Sequence, residues 1–192
     1  ALPLLERFNA PATIFVPTHA ATGQLNAWWL AIRELVLAHD ALEFEALRQS
    51  FCAETLTEKQ ALFQHVVDWV WSDFNRADDL ELTFRRYGIV MPHLVARFLM
   101  TTLEVQAAAR HPLLSIQAHT ESHRAFGTLD DTEVLREMTA NKAWLENILQ
   151  KEVRHFAYPY GHFREDGARE AQLASRAGFD VALTTDPGCL FA

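Results

Sequence analysis

Short apolar runs alternate with helix-like patterns along much of the chain. Residues 2–8 predict the end of a helix, and after the break at Asn9-Ala10-Pro11 the run Ala12–Val16 predicts a short buried strand. Further strands are predicted at 113–118, 153–158 and 179–184, with helices at 102–110, 130–150 and 169–177. This alternation predicts an α/β protein with parallel strands, in which a barrel and a doubly wound sheet are both open.

The helix that begins after Asp130 has the clearest local signals. Asp130 is followed three residues later by Glu133, which is the spacing of a capping box. Apolar residues then recur at helical spacing on one face: Val134, Leu135, Met138, Leu145, Ile148 and Leu149. The pattern predicts one long amphipathic helix that packs on the sheet.

A different pattern occupies the stretch from about 25 to 98. Apolar residues recur there at helical spacing in two groups: Trp28, Trp29, Ile32, Leu35 and Val36, and then Leu62, Val66, Trp69 and Val70. This stretch interrupts the alternation of strands and helices. We therefore predict a single domain, 1–192, with a helical insertion at about 25–98.

Charge and length exclude some classes of partner. The chain has 192 residues and a net charge of −8, which disfavours nucleic acid because phosphates need clustered Lys and Arg. No apolar run approaches the roughly 20 residues that cross a bilayer. The start at Ala1 lacks an initiator Met and a secretory signal, so we expect a trimmed chain. Cys52 and Cys189 do not make a disulfide framework or a metal-type spacing.

Two histidines follow directly after the strand predicted at 113–118. His119 and His123 are four residues apart, which would put both imidazoles on one face if the chain turned helical there. Two neutral imidazoles can hold one divalent cation, and a hydrolytic metal site usually adds a third protein ligand. Glu121 points the wrong way for that role. The alternative is a pair of half-exposed polar residues at a strand end.

The next predicted strand ends in Pro159-Tyr160-Gly161. Pro and Gly enforce a sharp turn there and leave backbone amides pointing outward, where an amide can receive an oxyanion. An ordinary strand-ending turn with aromatic packing is the alternative.

Four segments together resemble a known family. They are Pro11-Ala-Thr-Ile-Phe-Val-Pro17, Ile116-Gln-Ala-His-Thr-Glu-Ser-His123, Phe156-Ala-Tyr-Pro-Tyr-Gly161 and Ala177-Gly-Phe-Asp-Val-Ala-Leu-Thr-Thr185. In this order they resemble NodB-like polysaccharide deacetylases, carbohydrate esterase family 4, and most closely the FAYPYG-type branch that acts on exopolysaccharides and poly-N-acetylglucosamine. The resemblance covers roughly 1–20 and 100–192. It implies a distorted, incomplete (β/α) barrel with a helical insertion.

The resemblance also implies roles for individual residues. His119 and His123 would be metal ligands, and Thr120 would support their loop. The Tyr160 backbone amide would help bind the oxyanion while its ring walls the acetyl pocket, with Pro159 and Gly161 completing the substrate-binding turn. The implied cofactor is one divalent metal, zinc first, with cobalt, nickel and iron as alternatives.

Parts of the family pattern are not in this sequence. The Thr-Phe-Asp-Asp motif, with the catalytic base and the third metal ligand, would precede Ala1, and the Leu-x-His motif, with the general acid, would follow Ala192. Many members carry Arg where this chain has Ala157. We therefore expect the isolated chain to be inactive by itself.

The implied activity is metal-dependent removal of N-acetyl groups from an amino-sugar polysaccharide or oligosaccharide. Two alternatives stay open: a noncatalytic carbohydrate-binding or scaffold domain of the same fold, and O-acetyl ester hydrolysis on xylan. The sequence leaves the oligomeric state and the compartment open.

Overall fold

A computed structural model describes residues 2–161 and 167–185 of the chain. Cys189 therefore lies outside the described residues. The strands are β1 Ala12–Val16, β2 Ala41–Phe44, β3 Gln49–Cys52, β4 Leu114–Ala118, β5 His155–Ala157 and β6 Val181–Leu183. The helices are α1 Leu2–Phe8, α2 Thr18–Thr22, α3 Trp28–Ala38, α4 Leu56–Trp71, α5 Arg76–Asp79, α6 Glu81–Arg86, α7 Met91–Phe98, α8 Thr102–Ala108, α9 Asp131–Leu149 and α10 Ala168–Arg176.

Four strands form a parallel sheet in the order β1-β4-β5-β6. Ala12 pairs with Leu114 at the start of the first ladder, Ala118 pairs with Phe156 in the second, and Phe156 pairs with Ala182 in the third. The predicted α/β class with parallel strands is confirmed. In the part of the chain that the structure describes, the sheet stays open, as expected for an incomplete (β/α) barrel.

Helices α9 and α10 are the crossovers that join β4 to β5 and β5 to β6. Both pack on the core of the sheet, where Val134, Met138 and Leu145 of α9 are completely buried and Leu173 of α10 is nearly so. Phe156 lies at the centre of this core, with ring centroids 5.1 Å from Phe179, 5.2 Å from Tyr158 and 6.1 Å from Phe126. Burial of these apolar surfaces fixes the strand ends that carry the predicted site residues.

The capping box of α9 is present as predicted. The Asp130 side chain accepts a hydrogen bond from the Glu133 amide at 2.8 Å, and the Glu133 carboxylate accepts one from the Asp130 amide at 3.0 Å. The last two strands, β5 and β6, have three residues each and are shorter than the strands predicted at 153–158 and 179–184.

The chain divides into two compact units, Ala1–Thr22 with Met100–Ala192, and Gly23–Leu99. The limits of the second unit lie within two residues of the predicted insertion. This unit contains helices α3 to α7, and it also contains an antiparallel hairpin of β2 and β3 that was not predicted. Leu42 and Phe44 alternate with exposed neighbours along β2, and Arg48 takes a left-handed φ of 53° in the turn. The apolar spacing of the helices on both sides obscured this short alternation.

The longest described helix is α9, with 19 residues. It carries charged residues over much of its surface, as a helix on one face of a sheet does. Among residues 2–161 and 167–185, no single helix combines the length and the apolar character needed to cross a bilayer.

Candidate active site

Two loops meet at the carboxyl edge of the parallel sheet. The histidine loop, residues 119–123, follows β4, and the tyrosine turn, residues 159–161, follows β5. These strands are neighbours and parallel, so their carboxyl ends are adjacent. The His123 ring lies 4.9 Å from the ring of His119 and 4.9 Å from that of Tyr160, centroid to centroid. The structure thus brings the two predicted motifs into one site.

His119 is held in one tautomer by the end of the neighbouring strand. Its Nδ1 lies 2.6 Å from the carbonyl oxygen of Ala157. A carbonyl only accepts hydrogen bonds, so Nδ1 carries the proton and Nε2 keeps its lone pair. Metal-binding histidines are oriented by this kind of bond. Burial lowers the pKa of His119, and the Ala157 carbonyl opposes that shift in part.

His123 is also neutral at ordinary pH. Burial, and then the proximity of His119, lower its pKa to about 3. Neutral imidazole is the form that binds metal ions. Two neutral imidazoles in ring contact, one of them with a fixed tautomer, therefore fit two ligands of a divalent cation.

The histidine loop is not helical, so the helical alignment considered for its two rings does not apply. Thr120 has φ 94° and His123 has φ 61°, both in the left-handed region. Such angles are rare for a β-branched residue like Thr, and they indicate stored strain. The rings approach each other because the chain reverses here. Thr120 is completely buried, and its Oγ1 accepts a hydrogen bond from the His123 amide at 3.0 Å.

The tyrosine turn is equally constrained. Tyr160 has φ 61° and Gly161 has φ 66°. A Cβ added to Gly161 would lie 2.2 Å from a side-chain carbon of Thr185, so only glycine fits. The Gly161 amide donates to the Tyr158 carbonyl at 3.2 Å and closes the turn. Pro159 is buried beneath it.

Among the described residues, no group of three His, Cys, Asp or Glu side chains has the arrangement of a metal site. The Glu121 carboxylate pairs with Arg136. The described part of the site therefore offers the two imidazoles as its ligand set.

Two buried polar residues at the site were missed by the sequence analysis. Glu137 and Asn141 of α9 are 2% and 0% exposed and contact the histidine loop. They occupy positions on the apolar face of the helix, between Val134 and Leu145. Polar residues on a predicted buried face were the signal that would have identified them.

Residues 88–182 match the family model described as polysaccharide deacetylase. Over residues 88–182 the chain belongs to the polysaccharide deacetylase family. The matched segment contains the whole histidine loop and the whole tyrosine turn. Members of this family are deacetylases, and so hydrolases, which agrees with the resemblance found in the sequence. A search of curated protein sequences finds no significant match.

Several solved structures are similar to parts of the chain. A Streptococcus pyogenes deacetylase, PplD, in complex with acetate is 23% identical over 47% of this chain and 38% of its own, with a TM-score of 0.43. A polysaccharide deacetylase from Bacillus cereus is 26% identical over 47% of this chain and 27% of its own, with a TM-score of 0.40. A de-N-acetylase from Aggregatibacter actinomycetemcomitans is 10% identical over 95% of this chain and 56% of its own, with a TM-score of 0.43. The chain thus spans less than two thirds of the length of each of these three proteins.

Proposed function

We propose that this protein is a metal-dependent deacetylase that removes N-acetyl groups from an amino-sugar polysaccharide or oligosaccharide. One observation carries the proposal: two neutral imidazoles, His119 and His123, lie in ring contact beside the tyrosine turn at the carboxyl edge of the sheet. That edge is where parallel α/β folds place their chemistry. The membership of the polysaccharide deacetylase family supports the same reaction class.

His119 and His123 would hold one divalent cation, zinc before cobalt, nickel or iron, together with a ligand from outside the described residues. When bound, such a cation polarises the acetyl carbonyl and lowers the pKa of a water molecule. The Ala157 carbonyl fixes the tautomer of His119, so Nε2 would be the nitrogen available to a cation.

Tyr160 would act on the substrate side of the site. Its backbone amide would donate to the oxyanion that develops on the acetyl carbonyl oxygen, and its ring would form a wall of the acetyl pocket. The contact between the Tyr160 and His123 rings supports this role, because it puts the turn next to the proposed ligands. Pro159 and Gly161 hold the conformation of the turn and thereby the direction of that amide.

Acetate release by the full-length protein tests the proposal. The substrates are N-acetylglucosamine oligomers and acetylated xylan, with zinc or cobalt added. We expect release from the amino sugar, its loss in His119→Ala/His123→Ala, and its retention in His155→Ala, which replaces an exposed histidine at the opposite end of β5.

Three other results would point elsewhere. Release from xylan alone would favour the ester substrate. Binding of the oligomers without any release would favour a noncatalytic carbohydrate-binding domain. Equal activity in the double variant and in the parent would contradict the roles given to the two histidines.

A further inference from the structure

Every backbone N–H group of the histidine loop donates a hydrogen bond, although the loop belongs to no helix or sheet. The first two amides, of His119 and Thr120, both donate to Oδ1 of Asn141, at 2.9 and 3.2 Å. The last amide, of His123, donates to Thr120 Oγ1 at 3.0 Å. One completely buried amide side chain thus holds the residue that carries the first imidazole and its strained neighbour.

Glu137 binds the middle of the same loop. Its main-chain oxygen accepts a hydrogen bond from the Glu121 amide at 3.1 Å. Its carboxylate accepts one from the Ser122 amide at 2.7 Å and one from the Ser122 hydroxyl at 2.8 Å. Arg136 adds an ion pair at 3.0 Å, which compensates the charge of a side chain that is only 2% exposed. Four of the five loop amides therefore donate hydrogen bonds to two residues of α9 that are one helical turn apart.

Asn141 also reaches a second strand. Its Nδ2 donates to the carbonyl of Val16, the last residue of β1, at 3.0 Å, and to the hydroxyl of Thr18 at 2.9 Å. The Thr18 amide in turn donates to the Thr120 carbonyl at 3.1 Å. The Asn141 side chain thus uses its oxygen for the end of β4 and its nitrogen for the end of β1, and so fixes the spacing between two strand ends.

This arrangement has a consequence for the two imidazoles. Left-handed φ angles at Thr120 and His123 persist only where the surroundings enforce them. The hydrogen bonds from α9 supply that constraint, because releasing the loop would leave buried N–H groups without acceptors. The ring contact between His119 and His123 thus depends on two residues of α9 that bind the backbone of the loop.

We propose that Asn141 and Glu137 are positioning residues that hold the histidine loop in the conformation needed to bind the metal. That the loop binds a metal rests on the proposed function. That these two residues hold the loop rests on the hydrogen bonds described above. Buried partners of this kind change metal affinity by about 10- to 100-fold when they are removed.

The test compares Asn141→Ala with Leu145→Ala in the full-length protein. Leu145 is completely buried one turn further along α9 and belongs to the hydrophobic core, so its truncation destabilises the helix packing without touching the loop. Two readouts are taken below the unfolding transition of each variant: the dissociation constant for Co²⁺, and amide hydrogen exchange of residues 119–123 in the metal-free protein.

We expect Asn141→Ala to weaken Co²⁺ binding about 10- to 100-fold and to speed amide exchange at residues 119–123. We expect Leu145→Ala to leave the Co²⁺ affinity unchanged and to cause no faster exchange confined to these residues. Glu137→Gln keeps an acceptor for the Ser122 amide and should lose less affinity than Glu137→Ala. Equal effects of Asn141→Ala and Leu145→Ala on both readouts would overturn the inference.

The exchange readout also separates this inference from the proposed function. If the parent protein bound no Co²⁺, the metal-dependent function would fail. Faster exchange confined to the loop in Asn141→Ala would still support the positioning role, and unchanged exchange would overturn it.

Discussion

At the residue scale, the environment of His123 determines its charge. Burial and the neighbouring His119 lower its pKa to about 3, whereas a histidine in an unfolded chain titrates near 6.5. Between these two pH values the unfolded state binds a proton that the folded state does not. The free energy of unfolding therefore contains a contribution that is complete above about pH 6.5 and is lost progressively as the pH falls toward 3.

We predict that His123→Gln flattens this pH dependence in the metal-free protein. Between about pH 6.5 and 5 the shift at His123 accounts for up to roughly 2 kcal/mol of the free energy of unfolding, at about 1.4 kcal/mol per pH unit. Urea unfolding at several pH values measures the slope of the free energy of unfolding against pH. His155→Gln, at an exposed histidine, is the control and should keep the slope of the parent. A slope in His123→Gln equal to that of the parent would contradict the buried, neutral imidazole.

We predict that Gly161→Ala destabilises the first unit more than Gly178→Ala does. Both glycines have a left-handed φ, of 66° and 78°, so each alanine pays a conformational penalty of about 1–2 kcal/mol. At Gly161 the new Cβ also meets the Thr185 side chain at 2.2 Å, whereas at Gly178 it meets only the flexible end of Lys142 at 3.2 Å. Denaturant unfolding of both variants gives the comparison, and equal losses would contradict the packing of the turn.

The residue types at the site were predictable from the sequence, but their conformations were not. His119, Thr120, His123 and Tyr160 stand out by type, spacing and position after a strand. The left-handed φ of Thr120 goes against the local preference of a β-branched residue, so it is set by contacts with residues far along the chain. No local pattern in the sequence contains those contacts.

At the element scale, α9 both packs on the sheet and holds the histidine loop. Its apolar face and its capping box were predicted because both depend on residues close together in sequence. The hairpin of β2 and β3 was missed because four alternating residues give a weak signal between two strongly periodic helices. The strands predicted at 153–158 and 179–184 extend beyond β5 and β6 at both ends, since strand ends leave only a weak signal in the sequence.

We predict that Asp130→Ala lowers the free energy of unfolding by about 1 kcal/mol, because the first turn of α9 loses the acceptor for the Glu133 amide. Thr132→Ala changes an exposed position in the same turn and should have an effect within about 0.5 kcal/mol. Thermal or urea unfolding measures both. A loss in Asp130→Ala no larger than in Thr132→Ala would show that the cap contributes nothing to stability.

At the scale of the whole molecule, the chain inserts one compact unit into another. Residues Gly23–Leu99 form the inserted unit, and the parallel sheet with its site belongs to the other. The chain leaves and returns to the sheet unit at adjacent points, since the Thr102 hydroxyl donates to the Ala21 carbonyl at 3.1 Å. These limits lie within two residues of the insertion predicted at about 25–98 from the change in apolar pattern.

We predict that a short Gly/Ser linker can replace residues 23–99 with the sheet unit still folded. The ends to be joined are close, so closing the short loop costs little entropy. The far-ultraviolet circular dichroism spectrum, and near-ultraviolet bands from the packed aromatic core around Phe156, measure the outcome. Loss of the near-ultraviolet bands would show that the sheet unit depends on the insertion.

We propose that His119 and His123 hold a metal ion. The decisive measurement is the zinc content of the full-length protein, determined by mass spectrometry after equilibration with zinc and removal of the excess. We expect one zinc per chain in the parent and in His155→Ala, and none in His119→Ala/His123→Ala. A parent without zinc, or a double variant that keeps a full equivalent, would contradict it.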